Sequence, residues 1–390
     1  MRPLEGIKVI GLEQAIAAPF ATRQLADLGA EVIKIERPRV GDFARGYDET
    51  VNGMSAYFVW VNRSKQSLTL DVKHPQAAEI LKRLIATADV FVQNLVPGAA
   101  ARLGLSADAL RAQHPRLIVC DISGYGDSGP YRDKKAYDLL IQSEAGLLSV
   151  TGTRETPCKA GISIADISAG MYAYSGVLTA LYQREKTGRG TRVEVSLLES
   201  LGEWMGHPLY YSHYGKPLKR TGAAHATIAP YGPFRAKDGG VMLGIQNERE
   251  WALFCERVLD RPELAQDERF NTISRRAANR AELHAVIGQG FAGLTVSEVV
   301  ARLDTAQIAN AHVNEMNDVW DHPQFQARGR WREVTTPAGV IPALLPPATS
   351  ADFDIRMDPV PALGEHTDAI LQTLGYTASD IAALRSAGAV

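Results

Sequence analysis

Apolar positions along this chain alternate between two rhythms. Short runs rich in β-branched residues fall at 8–12, 31–36 (EVIKIE), 67–72, 89–95 and 116–122. Each has the length and composition of a strand. Between them, apolar residues spaced by three and four predict helices over 19–28, closed by Gly29, and over 75–88, with shorter helical pieces to about residue 113. Strands alternating with helices of this length predict a parallel, doubly wound sheet that binds ligands near the carboxyl ends of its strands. The expected fold class is α/β, with a Rossmann-like large domain.

Further on, the pattern predicts a helix over 138–149, a polar loop to 157, and then the stretch GISIADISAGMYAYSGVLTALYQREKTGRG at 161–190. From Ser168 onward, Met171, Tyr174, Val177, Leu178 and Leu181 share one helix face, and Lys186, Gly188 and Gly190 supply a basic last turn and a glycine stop. Asp166 is thus expected at or just outside a helix N-terminus, where unpaired N–H groups and the helix dipole favour an ionised carboxylate. Such an anion suits a nucleophile, and it equally suits a simple N-cap. Residues 191–198 alternate like a strand.

Beyond that point the rhythm breaks, since 207–233 is rich in Gly, Pro, His and Tyr, as in a linker or a long functional loop. A strand over 241–246 and helices over 250–259 and 275–291 predict a smaller α+β domain, and the tail from about 331 holds Pro-rich loops and a terminal helix pair. The expected organisation is a large domain over 1–200, a linker and active-site loop over 201–230, a small domain over 231–325, and a C-terminal segment over 326–390.

Charge narrows the chemistry. With 42 Lys+Arg against 44 Asp+Glu and a net charge of −2, no global field draws nucleic acid or an anionic membrane, so a phosphate-bearing ligand needs a local cluster of cations. The three cysteines, Cys120, Cys158 and Cys255, form no CxxC and keep no metal-like spacing with histidine. Without an apolar leader or an eighteen-residue apolar run, a soluble cytosolic protein is expected. A literal GxGxxG occurs at Gly124, Gly126 and Gly129, but Pro130, Tyr131 and Arg132 lead into a charged loop where a dinucleotide site needs a helix. SGYGDSGPY is read instead as a flexible loop bordering the site.

Several separated segments share one resemblance: LADLGAEVIKIERP at 25–38, QNLVPGAAARLGL at 93–105, SGYGDSGPY at 123–131, ISIADISAGMYAYSGVLTALYQREKTGRG at 162–190 and LGEHTDAILQTLGY at 363–376. In this order they resemble the class III CoA-transferases, the superfamily of formyl-CoA transferase and 2-methylacyl-CoA racemase. The resemblance implies that Asp166 is the catalytic aspartate, forming a mixed anhydride and then an aspartyl-CoA thioester. It implies coenzyme A as substrate and carrier with no permanently bound cofactor or metal, subunits interlocked as a homodimer, and a C-terminal segment that returns to the large domain. Ile16, Arg37, Lys65, Asn94, Leu95, Arg102, Lys135 and Tyr137 fall on positions that contact CoA in similar enzymes, and Asp138 on an acidic position near the catalytic centre. Oxyanion donors are expected from backbone N–H groups near Asp166 or around Gly222.

Departures from the pattern direct the choice within the superfamily. The racemase branch carries a histidine directly before the Asp138 position, as an acid/base group, where this chain has Tyr137. Formyl-CoA transferase has a glycine-repeat lid where this chain reads TGAAHATIAPYGP at 221–233, with His225 a candidate for meeting an anionic substrate. The expected reaction is CoA transfer between small dicarboxylic acids of the succinyl, mesaconyl, itaconyl or citramalyl kind. The alternatives are a 2-methylacyl-CoA racemase, a formyl-CoA:oxalate-type transferase, or an acyl-CoA-binding protein without catalysis.

Overall fold

The computed structural model describes residues 1–390. Its first strands and helices are β1 (Lys8–Leu12), α1 (Ala17–Asp27), β2 (Glu31–Glu36), α2 (Ala56–Asn62), β3 (Lys65–Thr69), α3 (Ala77–Ala86), β4 (Val90–Gln93), α4 (Ala99–Arg102), α5 (Ala107–Gln113) and β5 (Ile118–Ser123). There follow α6 (Asp138–Glu144), α7 (Leu147–Val150), α8 (Ile164–Thr187) and β6 (Arg192–Ser196). The six strands form one parallel sheet in the order β3-β2-β1-β4-β5-β6. The strand order reverses between β1 and β4, and a crevice at the carboxyl ends flanking that reversal is where such sheets bind ligands.

Both faces of the sheet are covered, which is why its strands read as continuous apolar runs. Val9, Val32, Val90 and Ile118 pack against α1 and α8 on one face. Their chain neighbours Ile10, Ile33, Phe91 and Val119 pack on the other face against α3, α5 and the C-terminal helices Thr367–Thr373 and Ala378–Ser386. On the first face, Ala17, Ala18 and Ala21 of α1 meet Ala165, Ala169 and Ala173 of α8 in the core. Gly170 sits in this seam, where an added Cβ would lie 2.7 Å from the carbonyl oxygen of Ala17. Small residues therefore let α8 approach α1 closely, and this brings Asp166 up to the first βα turn.

The chain divides into two compact units, one comprising residues 1–146, 160–207 and 326–390, the other 147–159 and 208–325. The second holds the antiparallel strands Tyr231–Arg235, Gly240–Gly244 and Ala309–His312 around a core that includes Trp251, Phe254, Phe270 and Phe291. The stretch expected as a linker over 201–230 includes the end of one helix, Leu197–Trp204, and all of another, Gly206–Tyr214. The helix expected over 138–149 breaks at Gly146, whose φ of +80° suits glycine. The helix expected over 275–291 breaks at Asn279. No single helix is long and apolar enough to cross a membrane.

Candidate active site

Asp166 lies inside the first turn of α8, because the helix begins at Ile164, four residues before the expected start. Its N-cap Ser163 makes no side-chain capping bond. Asp138, the first residue of α6, caps α8 in its place: the Ala165 and Asp166 N–H groups donate to Asp138 Oδ1 at 2.8 and 3.2 Å. The buried Gln142 fixes that carboxylate, donating from Nε2 to Asp138 Oδ2 at 2.6 Å and accepting the Ala160 N–H at 2.9 Å.

This arrangement corrects the expectation of a helix-stabilised anion. Donors that would have favoured the Asp166 carboxylate are taken by Asp138, which adds a second negative charge beside it. Burial, then repulsion from Asp138, pushes the Asp166 carboxyl up to about 7. Two carboxyl groups in one place thus receive different tasks. Asp138 is held by N–H donors, and Asp166 is left poorly solvated, with the proton affinity of a strong carboxylate nucleophile.

The first βα turn carries no glycine cluster, and its path is fixed by side chains. Asn94 clamps Gln14, accepting its N–H at 2.9 Å and donating to its carbonyl at 2.8 Å. Ala15 is left-handed, with φ +59°, and its N–H donates to Asp42 Oδ1 at 3.0 Å. Ile16 follows as the N-cap of α1 and is nearly enclosed. Leu95 donates its N–H to Gln93 Oε1 at 2.8 Å, and the left-handed Gly98 turns the chain into α4, which ends at the exposed Arg102. The exposed Arg37 leaves β2, while Lys135 and Tyr137 lie exposed on the connection between β5 and α6. Ile16, Arg37, Asn94, Leu95, Arg102, Lys135, Tyr137 and Asp138 therefore all follow carboxyl ends of β1, β2, β4 or β5.

Lys65 departs from this group. Its side chain is fully enclosed, and its ammonium donates to Glu13 Oε1 at 2.7 Å, Pro19 O at 3.0 Å and Asn62 Oδ1 at 3.0 Å. All three ammonium protons are engaged inside the protein, so Lys65 offers nothing to a ligand. The expectations for the 221–233 loop change for the same reason. The Gly222 N–H is engaged with Gly152 O at 2.8 Å. His225 Nδ1 accepts the Thr227 and Ile228 N–H groups at 3.2 and 3.0 Å, and its ring stacks on Tyr231. Arg280 Nη2 donates to the carbonyls of His225, Ala226 and Ile228. His225 therefore serves the internal order of its loop.

Tyr47 was not legible as a site residue. Partial burial first, and then the charges of Asp42 and Asp166, push its phenol up to about 12, while the side chain stays 47% exposed. Its ring meets those of Phe43, in the connection after β2, and Tyr57, in the first turn of α2, at centroid distances of 5.7 and 5.6 Å.

The model of CoA-transferase family III matches residues 4–367, nearly the whole chain. This chain belongs to that family. It is a CoA-transferase, similar to the human succinyl-CoA:glutarate CoA-transferase, to which it is 36% identical over 396 residues, covering 100% of this chain and 90% of the relative. A succinate–glutarate CoA-transferase of Agrobacterium fabrum is 33% identical over 383 residues, covering 95% and 96% of the two chains. A CaiB/BaiF family protein from Brucella suis shares the fold with a TM-score of 0.85 and 35% identity, over 96% of this CoA-transferase and 99% of the solved chain.

Proposed function

We propose that this protein moves CoA between small dicarboxylic acids, with Asp166 as the covalent nucleophile. The observation that carries the reading is a carboxyl group raised to about 7, next to a second, firmly capped carboxylate, at the carboxyl end of a Rossmann-like sheet. A free carboxylate is a poor electrophile, so transfer without another energy source requires a thioester to become an anhydride first. The Asp166 carboxylate attacks the donor thioester carbonyl, the C–S bond breaks, and CoA leaves as thiolate. That thiolate attacks the aspartyl carbonyl of the mixed anhydride, releasing the donor acid as a carboxylate and leaving an aspartyl-CoA thioester. The acceptor carboxylate then attacks this thioester, and the returning thiolate attacks the acceptor carbonyl, which restores Asp166 and releases the new acyl-CoA.

In this reading the exposed Arg37, Arg102 and Lys135 bind the phosphates of CoA, since a nearly neutral chain must hold a polyanion locally. Dicarboxylic acids as donor and acceptor are supported by relatives whose names carry succinate and glutarate. A homodimer belongs to the same reading, and sedimentation of the purified protein checks it. The direct test is incubation with succinyl-CoA and a panel of C4 to C5 acids, with mass spectrometry of the CoA esters. New esters of dicarboxylic acids, lost in Asp166→Ala, are expected. Transfer that persists in Asp166→Ala overturns the nucleophile, and esters of monocarboxylic acids alone overturn the substrate class.

A further inference from the structure

Beneath the first βα turn lies a fully enclosed set of four charged groups. Lys65 pairs with Glu13 at 2.7 Å, Lys34 reaches the same Glu13 oxygen at 3.5 Å, and Lys34 pairs with Asp42 at 2.7 Å, all four side chains having no exposed surface. Glu13 Oε2 also accepts the Thr22 hydroxyl at 2.7 Å. Attraction from the two lysines outweighs the burial that would push the Glu13 carboxyl up, and holds it below its ordinary range. Lys65 is brought down to about 8 by burial and so keeps its proton near neutrality. Two ammoniums facing two carboxylates leave the set neutral.

A buried ion set of this kind seldom adds stability over an apolar core, because desolvation offsets the attraction; in some proteins such a set fixes one geometry instead. Here the geometry is that of the turn. Asp42, oriented by Lys34 on Oδ2, uses Oδ1 to accept the N–H groups of Ala15 at 3.0 Å and Ala44 at 2.9 Å. Its own N–H donates to Glu36 Oε1 at 3.0 Å, and Glu36 is itself gripped by Arg45 through two bonds of 2.8 Å. The C-terminal motif at 363–376 enters the same set, because Ser67 donates to Glu36 Oε2 at 2.6 Å and accepts the Gly364 N–H at 2.9 Å. The residue most directly constrained is Ala15, which keeps the left-handed conformation that a non-glycine residue disfavours.

We infer that Asp42 is a positioning residue for CoA binding: held by the buried Lys34–Glu13–Lys65 set, it keeps Ala15 left-handed and so sets the course of residues 14–16 at the carboxyl end of β1. Lys65 acts through this set and makes no contact with CoA. The inference rests on the reading that the carboxyl ends of β1, β2 and β4 hold CoA.

Three variants of the full-length protein test it, with KM for succinyl-CoA and for the acceptor acid, kcat and thermal stability measured for each. Asp42→Ala removes the oxygen that Ala15 uses, and KM for succinyl-CoA is expected to rise about tenfold or more, the worth of one good hydrogen bond, while KM for the acid moves less. Asp42→Asn leaves one acceptor oxygen, which the buried Lys34 ammonium claims, so an amide NH2 faces the Ala15 and Ala44 N–H groups and the thioester KM should rise as it does in Asp42→Ala. Adding Ala15→Gly to Asp42→Ala should recover part of the thioester KM without recovering stability, since glycine enters the left-handed region freely. Equal thioester KM in Asp42→Ala and wild type overturns the inference. So does a thioester KM in Asp42→Asn that stays at the wild-type value, or a double variant no better than Asp42→Ala. Calorimetry of CoA on Arg37→Ala and Arg102→Ala separates the two readings. Weakened binding there with no Asp42→Ala effect removes only the positioning role, and unchanged binding in both removes the CoA site itself.

Discussion

At the scale of the residue, Asp166 and Asp138 show how one environment gives two carboxyl groups opposite properties. Only the ionised Asp166 can attack a thioester, so kcat/KM should rise with pH through a midpoint of about 7 and level above it. Asp138→Asn keeps an oxygen for the α8 N–H groups and removes the neighbouring charge, so that midpoint should move to lower pH, and an unmoved acid limb would show that Asp138 does not act on Asp166 electrostatically. Stability carries the same signature with a defined sign. Folding raises this carboxyl from its ordinary 3.8 to about 7, so the native chain binds the proton more tightly than the unfolded one. The stability this contributes is full below about 4 and is lost as pH rises through about 7. Asp166→Asn cannot lose it, so its melting temperature should gain on wild type more at pH 8 than at pH 5. The cations give a separate check: Arg37→Ala, Arg102→Ala and Lys135→Ala should each weaken CoA binding by about ten- to a hundredfold in calorimetry.

At the scale of the element, the position of Asp166 depends on the seam between α1 and α8. A methyl group at Gly170 would press against the Ala17 carbonyl at 2.7 Å and against Phe20 at 2.9 Å, and backbone cannot yield as a side chain can. Gly170→Ala is therefore expected to cost about 1–3 kcal/mol by overpacking and to lower kcat, because any relief must move the α8 turn that carries Asp166. A destabilised variant with unchanged kcat would show that the two elements are not coupled in this way. The elements themselves were largely legible, because strands buried on both faces leave continuous apolar runs, and β2 runs over the expected residues, Glu31–Glu36. Caps were less so. The start of α8 is set by Asp138, 27 residues away, and no periodicity within the helix records that. Lys65 failed as a ligand for the same reason, since its partner Glu13 lies 52 residues earlier and the burial of both depends on how β1 and β3 flank β2 in the sheet. Resemblance pointed to Asp166, the nucleophile of the proposed reaction; it did not point to the ion set beneath the first turn.

At the scale of the whole molecule, whether this CoA-transferase also racemises its acyl groups turns on Tyr137. Racemisation at the α-carbon needs one group to remove a proton and another to return it on the opposite face. Asp166, raised to about 7, has the proton affinity for one of these tasks. The second group would have to come from the connection that carries Tyr137 and Asp138. Asp138 is committed, one oxygen to the N–H groups of α8 and the other to Gln142. Tyr137 is widely exposed, at 68%, and as the N-cap of α6 it makes no side-chain capping bond. A histidine in that place would offer a ring nitrogen able to take and return a proton, and Tyr137 offers none. CoA transfer needs no such second base, because the nucleophiles after Asp166 are the thiolate and the acceptor carboxylate, each already an anion. The expected outcome with a 2-methylacyl-CoA in D2O is therefore no appreciable exchange at Cα, together with ready passage of CoA from an acyl-CoA to a free dicarboxylic acid. Appearance of exchange in Tyr137→His would confirm that the base is what is missing, and rapid exchange in the wild type with no acceptor acid present would overturn the assignment.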